Sequence, residues 1–406
     1  MNVVRNATTT RLVAITAGVV AVGGATAALA AGAFSGSKPP AKPLARALAD
    51  VAGAPRVTGI SARITFTNNL FPSGVLGGGT SPLLAGGSGR LWVTGDGRFR
   101  VEIQAPAGDA QIVGDHTGVK LYDPASNTVY TLAMPARTND PTRKPKAPHA
   151  APTAAGIQGM LDRLIGRAIV SGATPTNVAG QPAYSVRVAP AANAGLLGSV
   201  ELAWDAARGI PLRVGIYARG ATQPTLEVTA TEISYGPIQT SDLAVGAPKD
   251  AKVQAIDLAS RVHRTTPTTG TAGKADRSSE TAAQVQAKVA FTLHAPATVA
   301  GLPLTSIRTV GKPGHAGALV IYGSGLGSIV VLEQASGPAK AATPSQSGGA
   351  TSSLDLPTVS IGGASGTEFA TALGTLVRVS KGGIDYTVIG SVPAVAAEAA
   401  ARDAVA

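Results

Sequence analysis

Between about residue 55 and residue 240 the chain alternates apolar and polar positions with a period of two. Ala62, Ile64 and Phe66 alternate with Arg63, Thr65 and Thr67, and Phe99, Val101 and Ile103 with Arg98, Arg100, Glu102 and Gln104. The same rhythm holds for Val119 and Leu121, for Tyr184, Val186 and Val188, for Val200, Leu202 and Trp204, and for Leu212, Val214 and Ile216. Strict alternation predicts antiparallel strands with one apolar and one solvated face. Turn signals such as Gly95-Asp96-Gly97, Asp123-Pro124 and Ala206-Ala207-Arg208-Gly209 separate consecutive runs, so the strands form hairpins in a meander. No strand–helix–strand rhythm is present, which argues against a parallel α/β enzyme fold.

Three segments depart from that rhythm. Leu44, Leu48 and Val51 recur at helical spacing and predict a short amphipathic helix over 41–52, ended by Gly53 and Pro55. Asn68 to Gly89 carries no charge before its end and holds Leu70, Phe71, Val75, Leu76, Leu83 and Leu84 among glycines. Ala154 to Ile169 reads as a helix with Ile157, Leu161, Leu164 and Ile165 on one face, after the basic loop Arg143-Lys144-Pro145-Lys146. The last two interrupt a meander that needs only tight turns there, so each is an apolar insertion.

Residues 251–284 have the Thr, Ser, Gly and Lys composition of a disordered linker. A second domain over 285–406 follows. Ala318 to Tyr322 and Ile329 to Leu332 are buried-type strand runs, and Leu376–Val379 with Ile384–Ile389 form a hairpin around Lys381-Gly382-Gly383. Gly337 to Leu354 is a low-complexity loop, and Pro393 to Val405 an Ala-rich terminal helix. This half is α+β.

Export changes the picture of where these domains work. Arg5 and Arg11 precede an uncharged stretch from Leu12 to Phe34, with small residues at Ala28-Leu29-Ala30 before Ala31. Residues 1–34 are therefore a signal peptide or an uncleaved N-terminal membrane anchor, with everything after them outside. The chain has no cysteine, so disulfides, thiolate metal sites and a cysteine-linked lipid anchor are excluded. Its net charge of +11 suits an anionic envelope surface; no basic helix or basic–aromatic strand points to nucleic acid.

Catalytic chemistry is hard to find. His116, His149, His263, His294 and His315 are not spaced as zinc ligands, and no cofactor motif occurs. His116 beside Asp115 fits a base with its orienter, and equally a surface turn. Gly323-Ser324-Gly325-Leu326-Gly327 lacks the lysine and helix start of a phosphate loop and reads as a turn between strands. No nucleophile elbow or close carboxylate pair stands out. A non-enzymatic role follows as the expectation.

The order of motifs resembles a known family. Gly89-x-Leu91-Trp92, Arg98-x-Arg100-Val101, Ile112-Val113 and Val119-x-Leu121-Tyr122-Asp123 are similar to the first half of LolA-type lipoprotein-carrier domains. Val178-Ala179-Gly180-Gln181-Pro182-Ala183-Tyr184 and Gly209-Ile210-Pro211-Leu212-Arg213-Val214-x-Ile216-Tyr217-Ala218 are similar to the second half. The loop Asn69-Leu70-Phe71-Pro72 and Ser81-Pro82-Leu83-Leu84-x-Gly86 resembles those of the membrane-associated members from high-GC Gram-positive bacteria. The resemblance covers about 42–250, and the final domain looks like a small domain of bacterial envelope and sporulation proteins. It implies a mainly β (α+β) fold: a curved antiparallel half-barrel of about eleven strands with a helical lid over an apolar cavity, plus the small α+β domain. It further implies a carrier of lipids or lipoproteins or, in the RseB branch, a sensor that restrains an anti-sigma factor. Carriers lock the lid with an arginine; Arg100 fills that role only if it faces inward, and the alternation puts it opposite Val101.

The expected function is thus an extracytoplasmic binding protein that holds an acyl chain, lipid or lipoprotein, at the membrane surface or secreted to the envelope. An RseB-like regulator acting on a membrane-bound partner is the alternative. The expected lipid-binding residues are Ile64, Phe66, Leu70, Phe71, Leu83, Leu84, Phe99, Val101, Ile103, Val119, Leu121, Ile157, Leu161 and Leu164. No catalytic residue, metal or cofactor is expected.

Overall fold

A computed structural model describes residues 37–71, 82–106, 108–124, 126–133, 153–164, 166–192, 195–244, 248–255, 279–311, 314–336 and 357–406. The export segment, Val75, Leu76, the basic loop at 143–146, Ile165, most of the linker and the loop from Gly337 to Leu354 lie outside the described residues. The chain divides into two compact units: residues 1–69, 80–192 and 198–256, and residues 70–79, 193–197 and 257–406.

The first unit carries a short helix α1 (Leu44–Ala52), ended at Gly53 as the spacing predicts. Strands β1 (Gly59–Asn68), β2 (Gly87–Thr94), β3 (Phe99–Ala105), β4 (Gly108–Gly114), β5 (Gly118–Asp123) and β6 (Thr128–Ala133) follow, with a single-turn helix α2 (Pro82–Ala85) before β2. After helix α3 (Ala154–Asp162) come β7 (Ala168–Val170), β8 (Thr174–Val178), β9 (Gln181–Pro190), β10 (Leu197–Asp205), β11 (Pro211–Ala218), β12 (Leu226–Tyr235) and β13 (Lys252–Ala255). They build one open, curved sheet of thirteen strands in the order β13-β6-β5-β4-β3-β2-β1-β12-β11-β10-β9-β7, with β8 paired to β9. Turns fall where the glycine and proline signals place them: at 95–98, 124–127 and 206–210.

Two features differ from expectation. Helix α3 stops at Asp162, seven residues short of the expected Ile169. Thr153 caps its start by accepting from Gly156 N at 3.2 Å, and Gly166 at φ 84° turns the chain out of the helix. The β-branched Ile169 and Val170 beyond it pair with β9 instead, Ile169 opposite Ala189 and Val170 opposite Val188. Ile169 is left 64% exposed. Secondly, the strand count is thirteen rather than about eleven, and β13 pairs with β6 in parallel. Because β12 and β6 stand far apart in the sheet, the connection between them crosses one face. A 3-10 turn at Thr240–Leu243 lies against β3 on the way, where Arg100 Nη1 donates to the Asp242 carbonyl oxygen at 3.2 Å.

The second unit is an antiparallel sheet in the order β14 (Thr298–Val299), β15 (Leu302–Val310), β16 (Gly317–Tyr322), β17 (Ile329–Ala335), β21 (Ile384–Gly390), β20 (Gly374–Lys381), β19 (Ala364–Thr371), β18 (Thr358–Ile361). The glycine run at 323–327 forms a turn between β16 and β17, and Gly382-Gly383, both at positive φ, close the β20–β21 hairpin in two residues. A short helix α4 (Ala282–Gln286) opens with a Thr281/Gln284 capping box. Helix α5 (Ala394–Ala404) buries Ala397, Ala400, Ala401 and Ala404, one stripe at i, i+3, i+4 and i+7. Alanine there lets the helix approach a core of Val320, Val331, Val377 and Val388, all buried.

Candidate functional site

Strand register assigns side chains to faces, because directly paired residues project to the same side. Starting from β12, Val228 pairs with Phe66 and Ala230 with Ile64. Ile64 then pairs with Gly89 and Ala62 with Leu91, Gly89 with Ile103 and Leu91 with Val101. Phe99, Val101 and Ile103 pair with Gly114, Ile112 and Ala110, and Gly114 and Ile112 in turn with Val119 and Leu121. On the other side of β12, Val228 pairs with Val214 and Leu226 with Ile216. One continuous apolar face therefore runs across seven strands from β11 to β5. Seven of the expected residues lie on it: Ile64, Phe66, Phe99, Val101, Ile103, Val119 and Leu121.

That face is unevenly covered. Ile64 and Ile103 are buried, whereas Phe66, Phe99, Val101, Val119 and Leu121 are half-buried. Val228, flanked by Phe66 and Val214 in the interior of the sheet, is 40% exposed. Helix α2 touches β1, β3 and β4 and carries a half-buried Leu84; the Leu83 side chain lies outside the described residues.

Helices α1 and α3 pack against each other and over β9–β10. Leu44 and Ala47 of α1 bury with Tyr184, Val186 and Trp204, joined by Leu48, Val51 and Leu161 at the edge of the cluster. Tyr184 fixes the approach to α1, its hydroxyl donating to the Pro40 carbonyl oxygen at 2.6 Å. Ile157 is buried, and Leu164 is half-buried just past the helix end. Leu70 and Phe71 are not brought to this group. They belong to the second unit, where the Phe71 ring meets Phe369 at 5.5 Å and the Leu70 carbonyl oxygen accepts from Ala372 N at 2.9 Å.

The opposite face carries paired charges among other side chains, with Tyr122 and Val129 buried on it. Arg63 bridges Glu232 at 3.0 Å, and Glu201 bridges both Arg187 and Arg213. The Arg187 guanidinium lies 4.7 Å from the centre of the Tyr217 ring. Burial pushes the Glu227 carboxyl above its usual range, with Arg213 opposing and Glu201 adding to the shift. Arg100 is on this side too, over the Trp92 ring and bonded to Glu102 and Asp242. It faces away from the apolar side and does not serve as a lid lock.

The His116–Asp115 pair is a turn. Asp115 Oδ1 accepts from Thr117 N, Thr117 Oγ1 and Gly118 N at 2.7, 2.6 and 3.1 Å, bonds that hold its carboxyl below the usual range. His149 and His263 lie outside the described residues; among the described ones, no group of three His, Asp or Glu side chains is placed to hold a metal. Nor is any helix among them long and apolar enough to cross a membrane.

The residues missed by sequence reasoning are Leu226, Val228 and Ala230. Their alternation with Glu227, Thr229 and Thr231 carries the same signal as the other strands, but the polar run Thr222–Thr225 before them hides where the strand begins.

No family model matches the chain, and no curated protein matches it. Solved structures similar to it include the MucA–MucB complex of Pseudomonas aeruginosa, 15% identical over 88% of this chain and 96% of that one, with a TM-score of 0.41. A putative outer membrane lipoprotein-sorting protein domain from Vibrio parahaemolyticus is 12% identical over 50% of this chain and 95% of that one, with a TM-score of 0.22. A LolA superfamily protein from Nitrosomonas europaea is 11% identical over 50% of this chain and 99% of that one, with a TM-score of 0.21.

Proposed function

We propose that this chain is an exported, non-enzymatic binding protein that holds an acyl chain, free or as part of a lipid or lipoprotein, against the apolar face of its first sheet. The observation that carries the reading is the exposure of Val228 in the interior of that face, beside the half-buried Phe66. Leaving valine and phenylalanine wet in the middle of a sheet is unfavourable for the bare protein, and a hydrocarbon laid there reverses it. Each buried methylene contributes about 0.8 kcal/mol, so a long chain gains enough to bind firmly without a polar anchor. The paired charges of the opposite face leave that side fit for water or an anionic surface. Export rests on Arg5, Arg11 and the apolar stretch that follows them. The sequence division into a carrier domain over 42–250 and a smaller one over 285–406 is part of the same reading.

The test is native mass spectrometry and lipid extraction of the protein purified from its own host, followed by titration with a fluorescent fatty acid. Bound acyl chains, or saturable uptake of the probe, are the expected result. A protein that is repeatedly empty and takes up no probe overturns the proposal.

A further inference from the structure

The core of the second unit contains one side chain that its surroundings do not suit. Ile329, Val331 and Glu333 project to the same side of β17, into the apolar cluster with Val320, Tyr322, Val388 and the alanines of α5. Glu333 has no exposed surface. Among the described residues no cation pairs with it, its Oε1 has no hydrogen-bond partner, and its Oε2 accepts one bond, from the His294 backbone N at 3.0 Å. A carboxylate with a single neutral donor in such a place is strongly disfavoured, and the neutral acid is the form the site accommodates.

The one bond it makes has a structural consequence. His294 lies in the segment after α4 whose Phe291, Leu293 and Ala295 pack on the edge of the core. That segment reaches the sheet interior at Glu333. The titratable groups facing Glu333 are Tyr322 on β16 and Tyr386, its direct partner on β21, with Asp403 of α5 acting on Tyr322. None supplies a positive charge.

We propose that Glu333 is a proton-controlled latch: neutral, it keeps the 291–296 segment seated on the second sheet, and ionised, it draws water into the core and lets that segment go. Burial pushes the carboxyl up to about 7 from an ordinary value of 4.5, the His294 bond working against that. Because the folded value lies above the unfolded one, the stabilisation is complete below about pH 4.5 and is lost as pH rises through about 7. The corresponding change in the opening equilibrium is roughly three-hundredfold at most. Glu368 shifts in the same direction, through burial and then Glu398, so a background slope remains when Glu333 is removed.

The experiment is hydrogen exchange on the full chain between pH 5 and pH 8.5, corrected for the intrinsic rate and read at β16, β17, β21 and residues 291–296, with Glu333→Gln beside the native protein. The expected result is a fall in protection of roughly seventyfold in the native chain as pH rises from 5 to 8.5, starting at residues 291–296. Glu333→Gln is expected to lose most of that dependence. Equal pH dependence in both proteins overturns the latch. Should Glu333→Gln fail to fold, infrared spectra of the native chain labelled at glutamate decide instead. A protonated carboxyl band that persists at pH 6 and disappears by pH 8.5 supports the proposal, and its absence at pH 6 overturns it.

Discussion

Val228 on β12 and Ile64 on β1 are diagonal neighbours on the same apolar face, and under the proposed binding their different exposures predict opposite roles. Val228 is 40% exposed and Ile64 is 5% exposed. Complete burial of a valine side chain contributes about 1.5–3 kcal/mol, so covering the exposed part of Val228 with a ligand contributes roughly 0.6–1.2 kcal/mol. Val228→Ala is therefore expected to weaken acyl binding by about three- to eightfold, at 1.4 kcal/mol per factor of ten. Its stability cost is about 1 kcal/mol, from the portion already shielded by Phe66 and Val214. Ile64→Ala reverses the pattern. The lost methylenes and the cavity they leave cost about 2–5 kcal/mol of stability, while affinity in the surviving folded protein changes less than twofold. Urea unfolding followed by far-UV circular dichroism gives the stabilities, and titration with a fluorescent fatty acid gives the affinities. If Val228→Ala binds the probe as tightly as the native protein, or Ile64→Ala weakens binding more than it weakens the fold, the reasoning is wrong.

Further expectations concern the frame around that face. Asp205, almost fully buried, accepts from Ala207 N and Arg208 N at 2.8 Å each and from the Tyr235 hydroxyl at 2.6 Å, tying the β10–β11 turn to the end of β12. Tyr235→Phe should cost about 1–3 kcal/mol by urea unfolding, and Asp205→Ala more; an unchanged stability in Tyr235→Phe would contradict the bond to the buried Asp205 side chain. Gly89 sits where an added Cβ would run into the Glu102 backbone carbonyl, so Gly89→Ala must push β2 and β3 apart. It should destabilise the first unit by more than an ordinary surface substitution, about 2 kcal/mol or more, and wild-type stability in that variant would show the strands less tightly paired than described.

Much of the first unit was legible because alternation is a local signal. Ile64 and Phe66, Phe99 to Ile103, and Val119 and Leu121 each announce a strand and its apolar side, and register then joins them on one face. What failed was non-local or ambiguous. The apolar residues Ile157, Leu161, Leu164 and Ile165 satisfy a helical period, and the backbone at Gly166, together with the edge of β9, diverts the chain into β7. Leu70 and Phe71 are greasy in a greasy insertion, yet Phe71 meets Phe369 almost three hundred residues later, a pairing no local pattern encodes. Arg100 was placed correctly by its alternation with Val101, although its partner Asp242 was invisible to the sequence. Glu333 is hidden because the run from Ile329 to Leu332 reads as wholly apolar; every second residue instead gives Ile329, Val331 and then a carboxyl.

The crossing segment that ends in β13 has a mechanical side. All four residues of β13 are exposed, and the strand joins the sheet only along β6, with Lys252 N donating to the Asn127 carbonyl oxygen at its start. Tension drawn on the chain beyond Ala255 falls first on this short parallel ladder and next on the bond between Arg100 and Asp242. The strap can peel away while the hairpins beneath keep their own pairing, so β13 is the part of the sheet that yields most readily to such a pull.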